Sequence, residues 1–415
     1  MQRNFILIWL SYVTALIGGG MSTFTLSVRV LGQATSLTEY GILCLLAVFP
    51  GAMLSTKIGD IIDRYKVKNV FMWSNCVLAV GSAIIFYLIY YETLPKAVIY
   101  LAAVVFSILN ACVYIGFSHA IPGMVKEEKL SVVNGLGMVA NALNAIIVPA
   151  LCGFILGVLL YDDYSVLAIC VTLHISGLLL ALVSTSVSSD PSHNNQFGNI
   201  LTLAFHFHRQ RPKFTLMILL CAMLNFALGT FQAIVTPLVL RSYGVDTLGL
   251  ILSLASTGAI CGSILVTVKK NLNVRICMQA PPLLVGLMLI IMGIYPTQSV
   301  IMVCSFILVG SIPLTLTSSL THYQKHVDHN ILGKILGFRR MFVASALSLA
   351  LLLGPLLVDY LITPFTPQYC DANFLLPVIG QCEAIMPFRL VCIVFGIMLI
   401  WVMLGIRKEI VRHFN

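Results

Sequence analysis

Gly59-Asp60-Ile61-Ile62-Asp63-Arg64-Tyr65-Lys66-Val67-Lys68 is the stretch whose reading decides the fold. It holds a dense charge cluster in a chain of 415 residues that is 59% hydrophobic and only 9% charged. Long apolar runs flank it on both sides. Soluble domains carry about 45–50% apolar residues, so the composition already points to lipid. A helix that crosses the hydrocarbon needs roughly 20 mainly apolar residues. Stretches of that kind cover about 5–27, 38–56, 69–91, 97–118, 133–160, 165–187, 214–240, 247–268, 276–294, 298–319, 339–362 and 387–406. A backbone in lipid must satisfy its own hydrogen bonds, which predicts helices for these spans. The sustained alternation of a membrane β-barrel is missing. The expected class is an all-α polytopic membrane protein of 12 transmembrane helices.

Charge placement gives the orientation. With both termini cytoplasmic, all but Arg29, Lys96, Arg241 and Arg389 of the 24 basic residues fall on the cytoplasmic side. That is the positive-inside pattern, and it accounts for the net charge of +9. The basic residues are spread over many loops, which argues against a nucleic-acid surface. The first apolar run starts at a basic residue but outlasts the ~7–15 residues of a signal peptide core, so it is read as a retained helix. A polar stretch divides the chain into a first half (1–187), a central cytoplasmic loop (188–213) and a second half (214–415). Within that loop Asn199–His208 has the pattern of a short amphipathic helix on the membrane surface. All but Cys370 and Cys382 of the 12 cysteines lie inside spans, where a thiol acts as a small apolar group. Those two share the outer loop 363–386, either as a disulfide or as two free thiols.

The charged stretch resembles the loop between the second and third helices of the major facilitator superfamily. There a Gly, an Asp-Arg pair and a closing Lys recur, matched here by Gly59, Asp63, Arg64 and Lys68. Lys66 and Val67 stand where the family usually has Gly and Arg. The resemblance implies two six-helix halves built from inverted repeats. It also implies a conformational gate in which the Asp63 carboxylate meets the positive end of a helix in the other half. The plainer alternative is a loop anchored by its charges. In the second half the matching loop keeps Lys269 and Lys270 but has Val266 at the Asp-like position. The segment from His119 to Asn134, with Pro122, Lys126, Glu127, Leu130 and Asn134, resembles the drug-efflux branch that includes macrolide and enterobactin exporters. Pro149 and Gly153 echo two positions of the antiporter fifth-helix signature. They act as a hinge in that reading, as do Gly354 and Pro355 in the second half.

Polar residues inside spans are the candidate substrate contacts. These are Asn110, Asn141, Asn144, Asn225 and Gln232, near Phe24, Phe49, Tyr114 and Phe231. Hydrogen bonding between helices is the alternative for each. No acid lies in the middle of a span, so the proton-coupling candidates are Glu39, Asp63 and His174. Arg29 either attracts an anionic solute or snorkels to headgroups. His322, His326 and His329 have helical spacing suited to a metal, although solvated loop histidines are the ordinary reading. No P-loop or cofactor motif is present.

The expected function is therefore a secondary transporter of the inner membrane that exports amphipathic small molecules, drugs or a siderophore-like metabolite, with proton coupling. The expected partners are the lipid bilayer and a small-molecule substrate, with the protein acting as a monomer and without nucleic acid. An importer of a siderophore or nutrient and a non-transporting membrane scaffold are the alternatives. An intramembrane enzyme would gather acids, histidines or a nucleophile at one depth, which this sequence does not do.

Overall fold

The computed structural model describes residues 3–33, 36–55, 57–58, 62, 67–124, 130–159, 162–184, 200–268, 273–327, 329–362 and 382–414. Among these residues every regular element is helical, as the hydrogen-bond demand of lipid requires. In chain order they are α1 (Arg3–Gln33), α2 (Leu37–Met53), α3 (Val67–Tyr90), α4 (Lys96–Met124), α5 (Leu130–Gly153) and α6 (Asp163–Val183). Then follow α7 (Ile200–Gln210), α8 (Pro212–Val268), α9 (Val274–Ile294), α10 (Gln298–His326), α11 (His329–Leu357) and α12 (Cys382–Phe414). Ten of the helices are long and apolar enough to cross a membrane, and α2 is a shorter apolar one. This is a multi-pass membrane protein.

Two backbone features have local causes. The spans expected over 214–240 and 247–268 are both present, as two helices that meet at a kink within the stretch labelled α8. Its one non-helical residue is Gly244, at φ 89° and ψ 174°, a left-handed conformation that costs a glycine little. One glycine re-aims the chain there without a loop. Second, α5 and α11 end in π-helical turns, Phe154–Val158 and Val358–Ile362. Both follow a proline, Pro149 or Pro355, whose missing N–H loosens the α ladder. Hydropathy alone does not distinguish a π turn from an α turn.

The chain divides into two compact units, each of which takes a short piece from the other end of the sequence. The first comprises Met1–Gln33, Leu43–Asn194 and Gly244–Ser253. The second comprises Ala34–Ile42, Asn195–Tyr243 and Leu254–Asn415. In the first unit α1 is central and packs against α3, α4, α5 and α6. Tyr12 stacks on Phe117 at 4.3 Å, and Phe5, Ile62 and Phe71 complete that core. Ser11 Oγ donates to Gly177 O at 2.7 Å, which ties α1 to α6 at the crossing, and Asn75 Nδ2 donates to Phe71 O at 3.0 Å within α3. Arg29 is engaged by Asp163 at 2.8 Å, a brace from α1 to the start of α6.

In the second unit α9 packs against α10 and α12. The core at one end gathers Phe214, Met278, Tyr323, Ile335 and Met403. Asn273 Oδ1 accepts from Arg275 N at 2.9 Å and starts α9. Arg389 closes the same helix by donating to Gly293 O and Ile294 O, both at 3.0 Å. The later part of α8 meets α10 through Gly258 and Gly262. A Cβ at Gly258 would collide with Phe306 O, and one at Gly262 with Gly310 O.

Candidate functional site

The polar residues of the first unit converge on three consecutive glycines of α1. Successive residues of a helix point about 100° apart, so Gly18, Gly19 and Gly20 face three different neighbours. A Cβ on Gly18 would lie 2.9 Å from the His174 ring of α6. One on Gly19 would lie 2.6 Å from Asn110 Oδ1 of α4, and one on Gly20 would lie 2.7 Å from Asn144 Oδ1 of α5. The missing side chains make the space these groups occupy. Asn110 Oδ1, Asn144 Oδ1 and both His174 ring nitrogens are buried without a hydrogen-bond partner among the described residues. Leaving such an atom unpaired costs about 1–3 kcal/mol. Three of them around one helix turn, in an apolar span, form a set of groups able to receive a solute or a proton.

The other sequence candidates lie apart from this set. Asn141 Nδ2 donates to Tyr12 Oη at 3.1 Å and to Gly137 O at 2.9 Å, tying α5 to α1. Asn225 Nδ2 donates back along its own helix to Cys221 O at 3.0 Å, and Gln232 is half-buried two turns further along α8. The amide of Glu39 in α2 donates to Ser36 Oγ at 3.4 Å. Lys68 Nζ donates to Leu182 O at 2.7 Å and Ser184 O at 2.6 Å, which closes the C-terminus of α6. Pro149 lies inside α5, and a Cβ on Gly153 would lie 3.0 Å from Gly249 Cα. Gly354 lies against Ala233, and Pro355 against Gly41. Gly59, Asp63, Arg64 and Cys370 lie outside the described residues, as does the Cys382 side chain. The His322 and His326 rings stack at 4.1 Å. Among the described residues no three histidines, cysteines or acids gather as metal ligands.

Two polar nodes of the second unit escaped the sequence reading. Arg339 of α11 donates to Ser319 Oγ at 3.3 Å and Leu316 O at 3.1 Å, and its guanidinium sits over the Tyr323 ring. In sequence it is simply one more cytoplasmic cation. Tyr323 also organises His208, which is 6% exposed on α7. His208 Nδ1 lies 2.7 Å from Ala204 O, and Nε2 lies 3.0 Å from Tyr323 Oη. The Tyr323 hydroxyl in turn lies 2.9 Å from Phe214 O. A neutral ring protonated at Nδ1 donates to Ala204 O and accepts the tyrosine hydroxyl's hydrogen bond at Nε2. A cationic ring donates from both nitrogens and leaves the hydroxyl to donate to Phe214 O. Burial pushes the His208 pKa down, against the opposing pull of Ala204 O.

The sign of the pH effect follows. A lowered folded-state pKa means the unfolded chain binds the proton first, so stability is full above the ordinary histidine value and falls as pH drops below it. Hydrogen-exchange protection of Ile200–Gln210 is therefore expected to fall between about pH 7 and pH 5. His208→Phe should flatten that dependence. An unchanged pH profile in that variant would contradict the assignment.

The sequence profile of the Major Facilitator Superfamily matches residues 8–351. No curated protein matches in sequence. A bacterial homolog to the human lysosomal transporter Spinster, in an inward-facing and unoccupied conformation, has a similar fold, with a TM-score of 0.73 at 13% identity, covering 100% of this chain and 98% of that one. The nucleoside transporter NupG, in a point-mutant form, is similar with a TM-score of 0.72 at 13% identity over 100% of both chains. A POT family transporter solved with a thioalcohol conjugated peptide follows at 0.67 and 13%, covering 98% of this chain and 96% of that one. At these identities the structures speak for the fold, while the profile match spans most of the sequence. The chain belongs to the Major Facilitator Superfamily of membrane transporters.

Proposed function

We propose that the protein is a secondary transporter that exports amphipathic small molecules across an inner membrane by alternating access, driven by the proton gradient. The observation that carries this reading is the turn Gly18–Gly20, around which Asn110, Asn144 and His174 present unpartnered polar atoms inside apolar spans. Amides offer uncharged donors and acceptors, and the core beside them, with Met21, Val148, Val166 and Phe24, is apolar. That combination suits a solute with a modest polar head and an apolar body. His174 is the titratable member of the set and therefore its candidate for proton coupling.

Related folds are reported as a lysosomal transporter homolog and a nucleoside transporter, so the architecture serves unlike solutes. In this reading the halves 1–187 and 214–415 rock about the solute. Asp63, with Gly59 and Arg64, latches the cytoplasmic side, and Pro149, Gly153, Gly354 and Pro355 provide the bends. In this reading both termini lie in the cytoplasm, which the positive-inside charge pattern supports.

The test is accumulation of labelled dyes, drugs and siderophores in cells with and without the protein. It is repeated with Asp63→Asn and with the proton gradient collapsed. Lower accumulation that rises under both perturbations is the expected result. Higher accumulation in expressing cells would reverse the direction to import. No change over a broad panel would overturn the exporter.

A further inference from the structure

We propose that the seam between α1 and α6 is a proton-access route to His174, entered at the Arg29–Asp163 pair and lined by Thr25 and Ser22. The inference rests on the reading of His174 as the proton-coupling group and adds the path by which a proton reaches it. Arg29 meets Asp163 at 2.8 Å, and the Cβ position of Gly18 lies 2.9 Å from the His174 ring. Both helices advance 11 residues between these contacts, from Gly18 to Arg29 and from Asp163 to His174, so they run antiparallel in one register. Eleven residues are close to three turns, about 16 Å. Positions 18, 22, 25 and 29 therefore stack along one face of α1. Ser22 Oγ lies beside the Cys170 thiol of α6, and Thr25 Oγ1 beside the Cys152 thiol of α5.

Ser22, Thr25 and His174 are all fully buried. Neither hydroxyl oxygen and neither ring nitrogen has a hydrogen-bond partner among the described residues, and thiols are weak partners. A hydroxyl inside a helix has an easy local acceptor in the carbonyl four residues back. Thr23 and Ser27, on other faces of α1, take it, donating to Gly19 O at 2.9 Å and Thr23 O at 2.7 Å. Ser22 and Thr25 forgo that bond and are aimed into the seam. Successive positions on such a face rise by about 5 Å, a gap that one water bridges. A hydronium at the mouth passes its proton to the first water and is left as water. Each water or hydroxyl then accepts one proton and gives up another, until a His174 ring nitrogen holds it as imidazolium. The other ionisable groups on this seam are Cys152, Cys170, Arg29 and Asp163, and α3 brings the neutral amide of Asn75.

The route has one mouth. The Arg29 and Asp163 side chains are 20% and 22% exposed. Beyond His174 the polar groups are spent inside the protein. Thr14 Oγ1 donates to Ser11 O, Ser11 Oγ to Gly177 O and Asn75 Nδ2 to Phe71 O. Among the described residues Asn75 Oδ1, against Gly177, is the last unpartnered atom on that side. The core of Phe5, Tyr12, Phe71 and Phe117 follows. Protons therefore reach His174 from the Arg29 end, the outer face in the transport reading.

The experiment uses the full chain with ¹⁵N-labelled histidine in nanodiscs, the His174 ring signals being assigned by their loss in His174→Gln. Exchange of the ring N–H with water is followed by NMR. It should proceed in the wild type and slow roughly tenfold in Ser22→Ala and in Thr25→Val. Thr23→Val removes a hydroxyl from another face of α1 and should leave the rate unchanged. Either seam variant decides the case if the other folds poorly. A ring that does not exchange in the wild type, no slowing in the folded seam variants, or equal slowing in Thr23→Val would each overturn the proposal. The readout needs no solute. If exchange depends on the two hydroxyls while transport proves independent of the proton gradient, the route stands and the coupling reading fails.

Discussion

Gly262→Val is expected to prevent the second unit from assembling, with loss of folded protein from the membrane. The reason lies in what the new side chain would meet. At Gly262 a Cβ collides with Gly310 O, and one turn earlier, at Gly258, with Phe306 O; Gly310 in turn faces Gly258 O at 2.8 Å from its own Cβ position. These are backbone atoms of α8 and α10, held in their own helical hydrogen bonds, and they cannot rotate away. Small residues four apart let helix backbones touch, and close packing replaces the hydrophobic drive that is absent between helices in lipid. Overpacking a core that can adjust costs about 1–3 kcal/mol. Here whole helices must separate, so the contacts along the seam are lost together. Gly262→Ala should be milder and Gly262→Val nearly complete, read as monodisperse protein on fluorescence-detected gel filtration and as apparent melting temperature. A valine variant that folds with wild-type yield would show that α8 and α10 do not meet as described.

Asn110→Leu should have effects of opposite sign on stability and on transport. Asn110 Oδ1 is buried and unpartnered among the described residues. Replacing it with an apolar side chain of the same branching removes a desolvation cost of about 1–3 kcal/mol, so thermal stability should hold or rise. If the amide meets the solute, transport should fall by about tenfold or more, the loss expected when one good hydrogen bond to a bound molecule disappears. Proteins commonly retain destabilising groups where function needs them. A residue that only joins helices would behave otherwise: its loss would lower stability and leave the transport rate per folded molecule intact. Asn141, which is bonded to Tyr12 and Gly137, serves as that comparison. Asn141→Leu should cost stability. Parallel losses in both variants would remove Asn110 from the solute site.

The sequence revealed those features that depend on local composition. Apolar runs of spanning length located the helices, because lipid permits little else. The amphipathic pattern expected over Asn199–His208 is found as the helix Ile200–Gln210, one face of which buries Ala204, Phe207 and His208. Asn110, Asn144 and His174 stood out as polar residues in apolar surroundings. That they meet consecutive glycines was not legible, since it depends on the rotation of four helices about their axes. Lys68 shows the other limit. Its place in a charged motif drew attention to a gate, and its ammonium also caps a helix that ends more than 110 residues later, a pairing the motif does not announce. Arg29 with Asp163 and His208 with Tyr323 share that difficulty. Each pairing is set by tertiary distance, and neither partner's neighbours in sequence announce it. The two π turns were hidden for a different reason. They change backbone geometry without altering hydropathy.

The two glycine seams differ in mechanical compliance. Around α1 the nearest atoms to Gly18, Gly19 and Gly20 are the ends of rotatable side chains: an imidazole and two carboxamides. Between α8 and α10 they are peptide carbonyls. A small slide or twist of α1 is resisted by torsions with soft, broad wells, while the same displacement at the α8–α10 seam presses backbone on backbone. Under hydrostatic pressure or mechanical load the first unit should therefore yield first, at the turn where its polar groups are gathered. The elasticity of the molecule would then be greatest at the proposed solute site.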